Sequence, residues 1–111
     1  MTGKYLKESR LPEVLALIQV LAYDKITNRS EDRLAKELQS TPSSSSSWIA
    51  LASDHPEFFR VRKDDEKNDL VSLVSRFVLP KIEGTNNREQ LDTNSVNKLM
   101  EIAIEIHDRQ V

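Results

Sequence analysis

The chain has 111 residues, of which 38% are hydrophobic and 31% are charged, and its formal net charge is −2 at pH 7. This length and composition predict one globular domain with a single core. The chain contains no cysteine, which excludes disulfides, thiol chemistry and zinc–thiolate sites. No apolar run approaches the ~20 residues of a membrane span, and charged residues rather than an apolar signal region follow Met1. We therefore expect no membrane insertion and a cytoplasmic location.

The first part of the chain predicts two helices. Pro12 is suited to the first helical position, and Glu13 beside it favours the positive end of the helix dipole. Apolar residues at three- and four-residue spacing continue to about Asp24, which predicts a core helix. Ser30, followed by two acidic residues, predicts the start of a second helix. Pro42 cannot continue that helix, so it must end before this residue.

Five consecutive serines precede the only tryptophan in the stretch TPSSSSSW, residues 41–48. Pro42 could begin a third helix with Thr41 as its hydroxyl cap, and the apolar pattern from Trp48 onwards favours this over a flexible linker. We expect this helix to end near His55 and Pro56. Ser44 and Ser45 should lie on the side of Trp48, and the outward face should consist of Ser43, Ser46, Ser47, Ala50 and Ser53.

Strand-forming residues dominate after Pro56. Residues 58–62 and 69–79 predict two strands, and the polar residues 63–68 between them predict a hairpin turn. A loop follows, and from about Thr93 a last helix should present one apolar face made of Val96, Leu99, Met100, Ala103, Ile104 and His107.

The order helix, short helix, turn, helix, hairpin over residues 11–79 resembles the winged helix-turn-helix fold. The expected fold class is mainly α with a small β-hairpin (α+β), with a three-helix core, a wing and a C-terminal helix. We expect a winged-helix-like domain at 1–84. Residues 85–111 should form a linker and a C-terminal helix that packs on the core or mediates dimerisation. In the family that the chain resembles, the third helix is the recognition helix and the hairpin is the wing.

The resemblance implies DNA binding, yet the charge distribution argues against it. Phosphate contacts come from Lys and Arg, and the chain has no basic residue between Lys36 and Arg60. The remaining candidates for contacts with DNA phosphates are the free N–H groups at the start of the third helix and five basic residues: Arg33, Lys36, Arg60, Arg62 and Arg76. Nucleic acid is therefore possible as a partner, but it is the second hypothesis.

A protein partner or self-association is the first hypothesis. The predicted face of Ser43, Ser46, Ser47, Ala50 and Ser53 is small and uncharged, so another backbone could approach it closely. Ile102 and Ile106 widen the apolar surface of the last helix and could form a dimer contact, by analogy with winged-helix regulators.

Catalysis is not expected. The acidic residues 64–66 lack the glycine and final glutamate of a calcium loop, so a solvated turn is the simpler interpretation. His55 is suited to a helix end, where the dipole favours its ring, and His107 to a packed or half-exposed position. We expect no catalytic residue, cofactor, metal or small-molecule site, and we interpret the chain as a binding module within a regulatory protein.

Overall fold

A computed structural model describes residues 3–63 and 69–111, which form an α+β fold. A 3-10 helix at Lys4–Leu6 precedes the first long helix, and another at Val74–Val78 follows the last strand. The remaining elements are α1 (Arg10–Tyr23), β1 (Arg29–Ser30), α2 (Glu31–Leu38), α3 (Trp48–Ser53), β2 (Phe59–Arg62), β3 (Leu70–Leu73) and α4 (Thr93–Gln110). The predicted mixture of helices with a small antiparallel sheet is confirmed at this level.

Helix α1 is the centre of the core, as its apolar spacing predicted. It packs against α2, α3, α4 and β3, and also against the N-terminal 3-10 helix. A helix in contact with neighbours on several sides needs a wide apolar surface. The buried side chains of α1 supply it: Val14, Leu17, Ile18, Leu21 and Ala22.

The predicted hairpin is confirmed, and a third short strand completes the sheet. Strands β2 and β3 pair antiparallel, with Phe59 opposite Leu73 and Arg62 opposite Leu70. Strand β1 pairs with the other edge of β3, giving the order β1-β3-β2. The expected continuation of β3 to residue 79 is wrong, because the chain turns into the 3-10 helix directly after Leu73. Most of the predicted wing turn, at 64–68, lies outside the described residues.

The serine segment does not form the predicted helix, since α3 begins at Trp48 and not at Pro42. Glu13 on α1 accepts hydrogen bonds from the backbone N–H and the hydroxyl of both Ser43 and Ser44, at 2.5 to 3.1 Å. Serine side chains and amides bound in this way stabilise a non-helical backbone. Burial alone would raise the pKa of Glu13, but the bonds from the two serines outweigh it and lower the pKa. The segment is an anchored loop.

Helix α4 begins where the sequence predicted, and the Asp92 side chain caps it by accepting a hydrogen bond from the Ser95 N–H at 2.7 Å. Val96 and Ala103 are fully buried towards the core, and α4 packs along α1. The placement of Ile104 on the inward face is wrong, because its side chain is 41% exposed.

A buried guanidinium ties the end of α1 to the segment that leads into α4. Arg76 is completely buried, and its Nη1 donates to the carbonyls of Leu21 and Asp24 at 2.8 and 2.6 Å. Its Nε and Nη2 donate to the carbonyls of Glu89 and Arg88 at 3.2 and 2.5 Å. The expectation that Arg76 could contact DNA is therefore wrong, because the side chain is fully buried and donates to four carbonyl oxygens of the protein.

Replacing Arg76 should test this tie. We expect Arg76→Met to lower the free energy of unfolding by about 2–5 kcal/mol, because buried carbonyl oxygens would lose their donors. Urea denaturation measures the loss, and Arg33→Met on the exposed face of α2 is the matched control, expected to change stability by about 0.5 kcal/mol or less. Equal effects of the two substitutions would contradict the role assigned to Arg76.

Candidate functional site

The start of α3 is already occupied by the protein's own groups. The Glu31 carboxylate accepts hydrogen bonds from the N–H groups of Trp48 and Ile49 at 3.0 and 2.9 Å. The hydroxyl of Ser47 accepts the next N–H, that of Ala50, at 3.0 Å. The expectation that these N–H groups would be free to bind phosphate is wrong. The Glu31 carboxylate also places a negative charge at the helix start, which would repel a DNA phosphate.

The five residues predicted to form one outward helix face lie in two different kinds of structure. Ala50 and Ser53 lie on α3, and Ser47 is its N-cap. Ser43 and Ser46 are exposed in the preceding loop. The predicted helical face is therefore wrong as a single surface, because the bonds to Glu13 keep the loop out of the helix.

The basic residues predicted on α2 lie on a mixed surface. Arg33 and Lys36 are exposed, but Asp32 and Glu37 on the same helix are exposed as well. Glu37 forms an ion pair with Arg29 at 3.1 Å. The alternation of signs leaves no continuous positive face on this helix.

A positive surface does exist beside the β2–β3 hairpin, in a concavity that we call the cationic cavity. Arg60 and Arg62 are two residues apart on β2, so both point to the same, exposed side of the strand. The loop after the second 3-10 helix adds two further cations. The cavity has a volume of about 490 Å³ and is lined by Asn28, Arg60, Arg62, Phe77, Lys81, Asn86 and Arg88.

The loop supplies its two cations through a hairpin-like pairing. Lys81 and Arg88 face each other across an antiparallel bridge, and Gly84 turns the chain between them with φ of 80°. A positive φ is readily adopted by glycine. The sequence did not lead us to name Lys81 and Arg88 as site residues. The turn residues around Gly84 were the signal that could have indicated that these two cations lie close together.

Aromatic and backbone contacts hold two of the guanidinium groups in place. The Cζ atoms of Arg60 and Arg88 lie 5.3 and 5.9 Å from the centre of the Phe77 ring, within cation–π range. Arg88 also donates from Nη1 to the Leu79 carbonyl at 2.9 Å, and its backbone N–H donates to the Thr27 hydroxyl at 2.7 Å. The rim of the cavity is thus ordered before any ligand arrives.

The charge of the cavity is not neutralised by the described part of the chain. No carboxylate lines it there. Within residues 3–63 and 69–111, no ion pair within 4.0 Å links its four cations to an acidic side chain. Unneutralised cations in a concavity produce a positive potential that attracts anions.

His55 lies inside the fold, with both ring nitrogens bonded to neighbouring side chains. Its ring is fully buried, with Nε2 at 3.1 Å from Nη1 of Arg10 and Nδ1 at 3.0 Å from Oε2 of Glu57. Because the arginine can only donate, Nε2 must accept, and the proton sits on Nδ1 and bonds to Glu57. Burial lowers the pKa of His55, which keeps the ring neutral.

The carboxylate of Glu57 joins the N-terminal 3-10 helix to the end of α3. Tyr5 donates its hydroxyl to Glu57 at 2.5 Å, and Nζ of Lys4 lies 3.0 Å away. Burial opposes the charge of Glu57, but hydrogen bonds from Tyr5, the backbone, His55 and Lys4 lower its pKa to about 2. Burial and the contact with Glu57 raise the pKa of Tyr5. Both shifts arise from burial and from the hydrogen bonds of one network around Glu57.

Comparisons with known proteins add no relative: no family model, curated protein or solved structure matches the chain. Over the described ranges, helices long and apolar enough to cross a bilayer are absent. The same ranges hold no cluster of three or more His, Asp or Glu side chains arranged to bind a metal ion.

The His55 network should make stability pH-dependent. The ordinary pKa of 6.5 applies to the unfolded chain, and burial lowers the pKa in the folded protein. The unfolded state therefore binds the proton first, and stability should fall as the pH drops below about 6.5, by at most ~1.4 kcal/mol per pH unit. Glu57 adds a further loss of stability as the pH falls from 4.5, its ordinary pKa, to about 2, its pKa in the folded protein.

Urea denaturation measures the part of this loss of stability that comes from His55. The pH should run from about 7.5 to about 5, which brackets the histidine range. His55→Gln should flatten the slope, because glutamine can accept from Arg10 and donate to Glu57 without titrating. His107→Gln, which changes the more exposed histidine, is the matched control. A slope that persists unchanged in His55→Gln would refute the assignment.

Proposed function

We propose that the chain is a non-enzymatic binding module of winged-helix-like architecture, and that it acts mainly by protein–protein contact. The order of three helices followed by an antiparallel hairpin supports the winged-helix interpretation. The engagement of both nitrogens of His55 within the fold supports a role in binding rather than in catalysis.

The observation that carries the proposal is the Glu31 carboxylate on the N–H groups of Trp48 and Ile49. It removes the donors that a recognition helix would offer to phosphate. The outward residues Ala50 and Ser53 are small and neutral, and α3 contains no cation. A small, uncharged surface lets another backbone approach closely and offers no cation to phosphate, so it is better suited to a polypeptide than to a polyanion.

A photo-crosslinking residue at position 53 tests the α3 surface. We expect the variant at Ser53 to form a discrete adduct with a protein in cells, detected by mass spectrometry. The same residue in place of Asn94, which is exposed on α4, is the matched control and should not form that adduct. Adducts with nucleic acid alone, or equal labelling at both positions, would contradict the proposal.

Self-association through α4 is the second form of this proposal. At ~100° per residue, Leu99, Ile102 and Ile106 lie along one edge of the helix. Ile102 is 45% exposed, whereas Ile106 is partly packed against the core. Ile104 lies about 200° from Ile102, on the opposite edge. A dimer contact would therefore use one edge of α4, beside the core.

Two isoleucines on opposite edges provide a matched pair of variants. If α4 mediates a dimer, Ile102→Glu should convert it to monomer in sedimentation experiments, because a charge would be buried at the contact. Ile104→Glu, of nearly equal exposure at 41% against 45%, should leave the dimer intact. A wild-type chain that stays monomeric at high concentration would exclude this form of the proposal.

DNA binding is the second candidate function, and the wing favours it more than α3 does. Arg60 and Arg62, predicted as nucleic-acid contacts, lie in the cationic cavity together with Lys81 and Arg88. A duplex could place its backbone against this side of the wing while α3 stays outside the groove.

Titration with mixed-sequence duplex DNA at low salt decides between the candidates. Four phosphate contacts would give a slope of log K against log salt of about −3.6. Micromolar binding with such a slope, lost in the double variant Arg60→Gln/Arg62→Gln but kept in Arg109→Gln on the exposed side of α4, would place DNA first. Absence of binding supports the protein-partner proposal.

A further inference from the structure

We propose that the cationic cavity binds a small organic phosphate, such as a nucleoside diphosphate, through its phosphate groups. This inference goes beyond the proposed function, which concerns macromolecular partners: a protein at α3 or α4, or duplex DNA on the side of the hairpin where the cavity lies. It rests on the convergence of four cations from two separate chain segments, β2 and the loop at 81–88, on one concavity of about 490 Å³.

The size of the cavity favours a small ligand over a duplex. Ligand pockets in proteins have volumes of roughly 300–1,000 Å³, and this cavity falls within that range. A duplex spreads its charges along the helix, roughly one per 1.7 Å of axis. A diphosphate instead concentrates its charge in one place, where four cations around a single concavity can all reach it.

The chemistry of the lining is that of a phosphate site. Guanidinium groups match phosphate oxygens with two parallel hydrogen bonds, and a lysine adds a mobile charge. The side chains of Asn28 and Asn86 form no hydrogen bond within the described residues, so their amides can donate to phosphate or accept from a sugar hydroxyl. Phe77 already contacts Arg60 and Arg88, so it positions the guanidinium groups and is not a free stacking platform.

The site is also largely preformed, which lowers the ordering cost of binding. Strand pairing fixes Arg60 opposite Ser72. The Leu79 carbonyl holds the Arg88 side chain, and the Thr27 hydroxyl holds its backbone. A ligand therefore meets two guanidinium groups, those of Arg60 and Arg88, that are held in place. None of the four cations is paired with a carboxylate in the described ranges.

Calorimetric titration with inorganic pyrophosphate and with a nucleoside diphosphate, at constant ionic strength, tests the inference. We expect one saturable site for each probe. Arg62→Gln and Lys81→Gln should each weaken binding about tenfold, since each removes a charge-assisted hydrogen bond. Arg33→Gln, on the exposed face of α2, is the matched control and should bind as the wild type does.

The two probes separate the parts of the ligand that are recognised. Equal affinities mean that the cavity binds only the phosphate groups. Tighter binding of the nucleotide means that Asn28 or Asn86 contacts the sugar or base. Both outcomes support the site. Unsaturable binding, or equal weakening by Arg33→Gln, would overturn it. Duplex DNA that binds the cavity and is not displaced by millimolar pyrophosphate would also overturn it. None of these results depends on whether α3 or α4 contacts a protein.

Discussion

The buried guanidinium of Arg10 is the interaction on which the arrangement of the helices depends. It lies at the start of α1, is fully buried, and donates to the Ser44 hydroxyl and carbonyl at 2.9 and 2.8 Å. Its Nη1 contacts His55 and, at 3.3 Å, the half-exposed carboxylate of Asp54. One side chain thereby joins α1, the serine loop and the end of α3. A buried cation is tolerable only when its donors are satisfied, and here neutral acceptors supply most of the bonds.

Arg76 performs the corresponding task at the other end of α1, through carbonyl oxygens alone among the described residues. The two arginines explain why a chain with modest apolar content can hold short elements in place. Helix α3 has six residues and β1 has two, lengths at which isolated elements are unstable. Bonds from the buried Arg10 to Ser44 before α3 and to His55 after it add to the packing of the buried α3 residues Trp48, Leu51 and Ala52.

The sequence predicted the elements whose signal is local. Apolar periodicity located α1 and α4 to within a residue or two, and strand formers located the hairpin. The serine loop could not be predicted in this way, because Glu13 acts on Ser43 and Ser44 from thirty residues away. The cationic cavity depends likewise on the fold: Arg60 and Arg62 were visible as candidates, but only the turn after the sheet brings Lys81 and Arg88 beside them.

The way the serine loop is fastened has a consequence for engineering the chain. Its anchors are Ser43 and Ser44 at one end and the N-cap Ser47 at the other. Between them, the side chains of Ser45 and Ser46 form no hydrogen bond within the described residues, and Ser46 is exposed. Exposed loop positions without such bonds tolerate insertion best. A peptide epitope grafted between these two serines would therefore be displayed beside α3 without loosening either anchor.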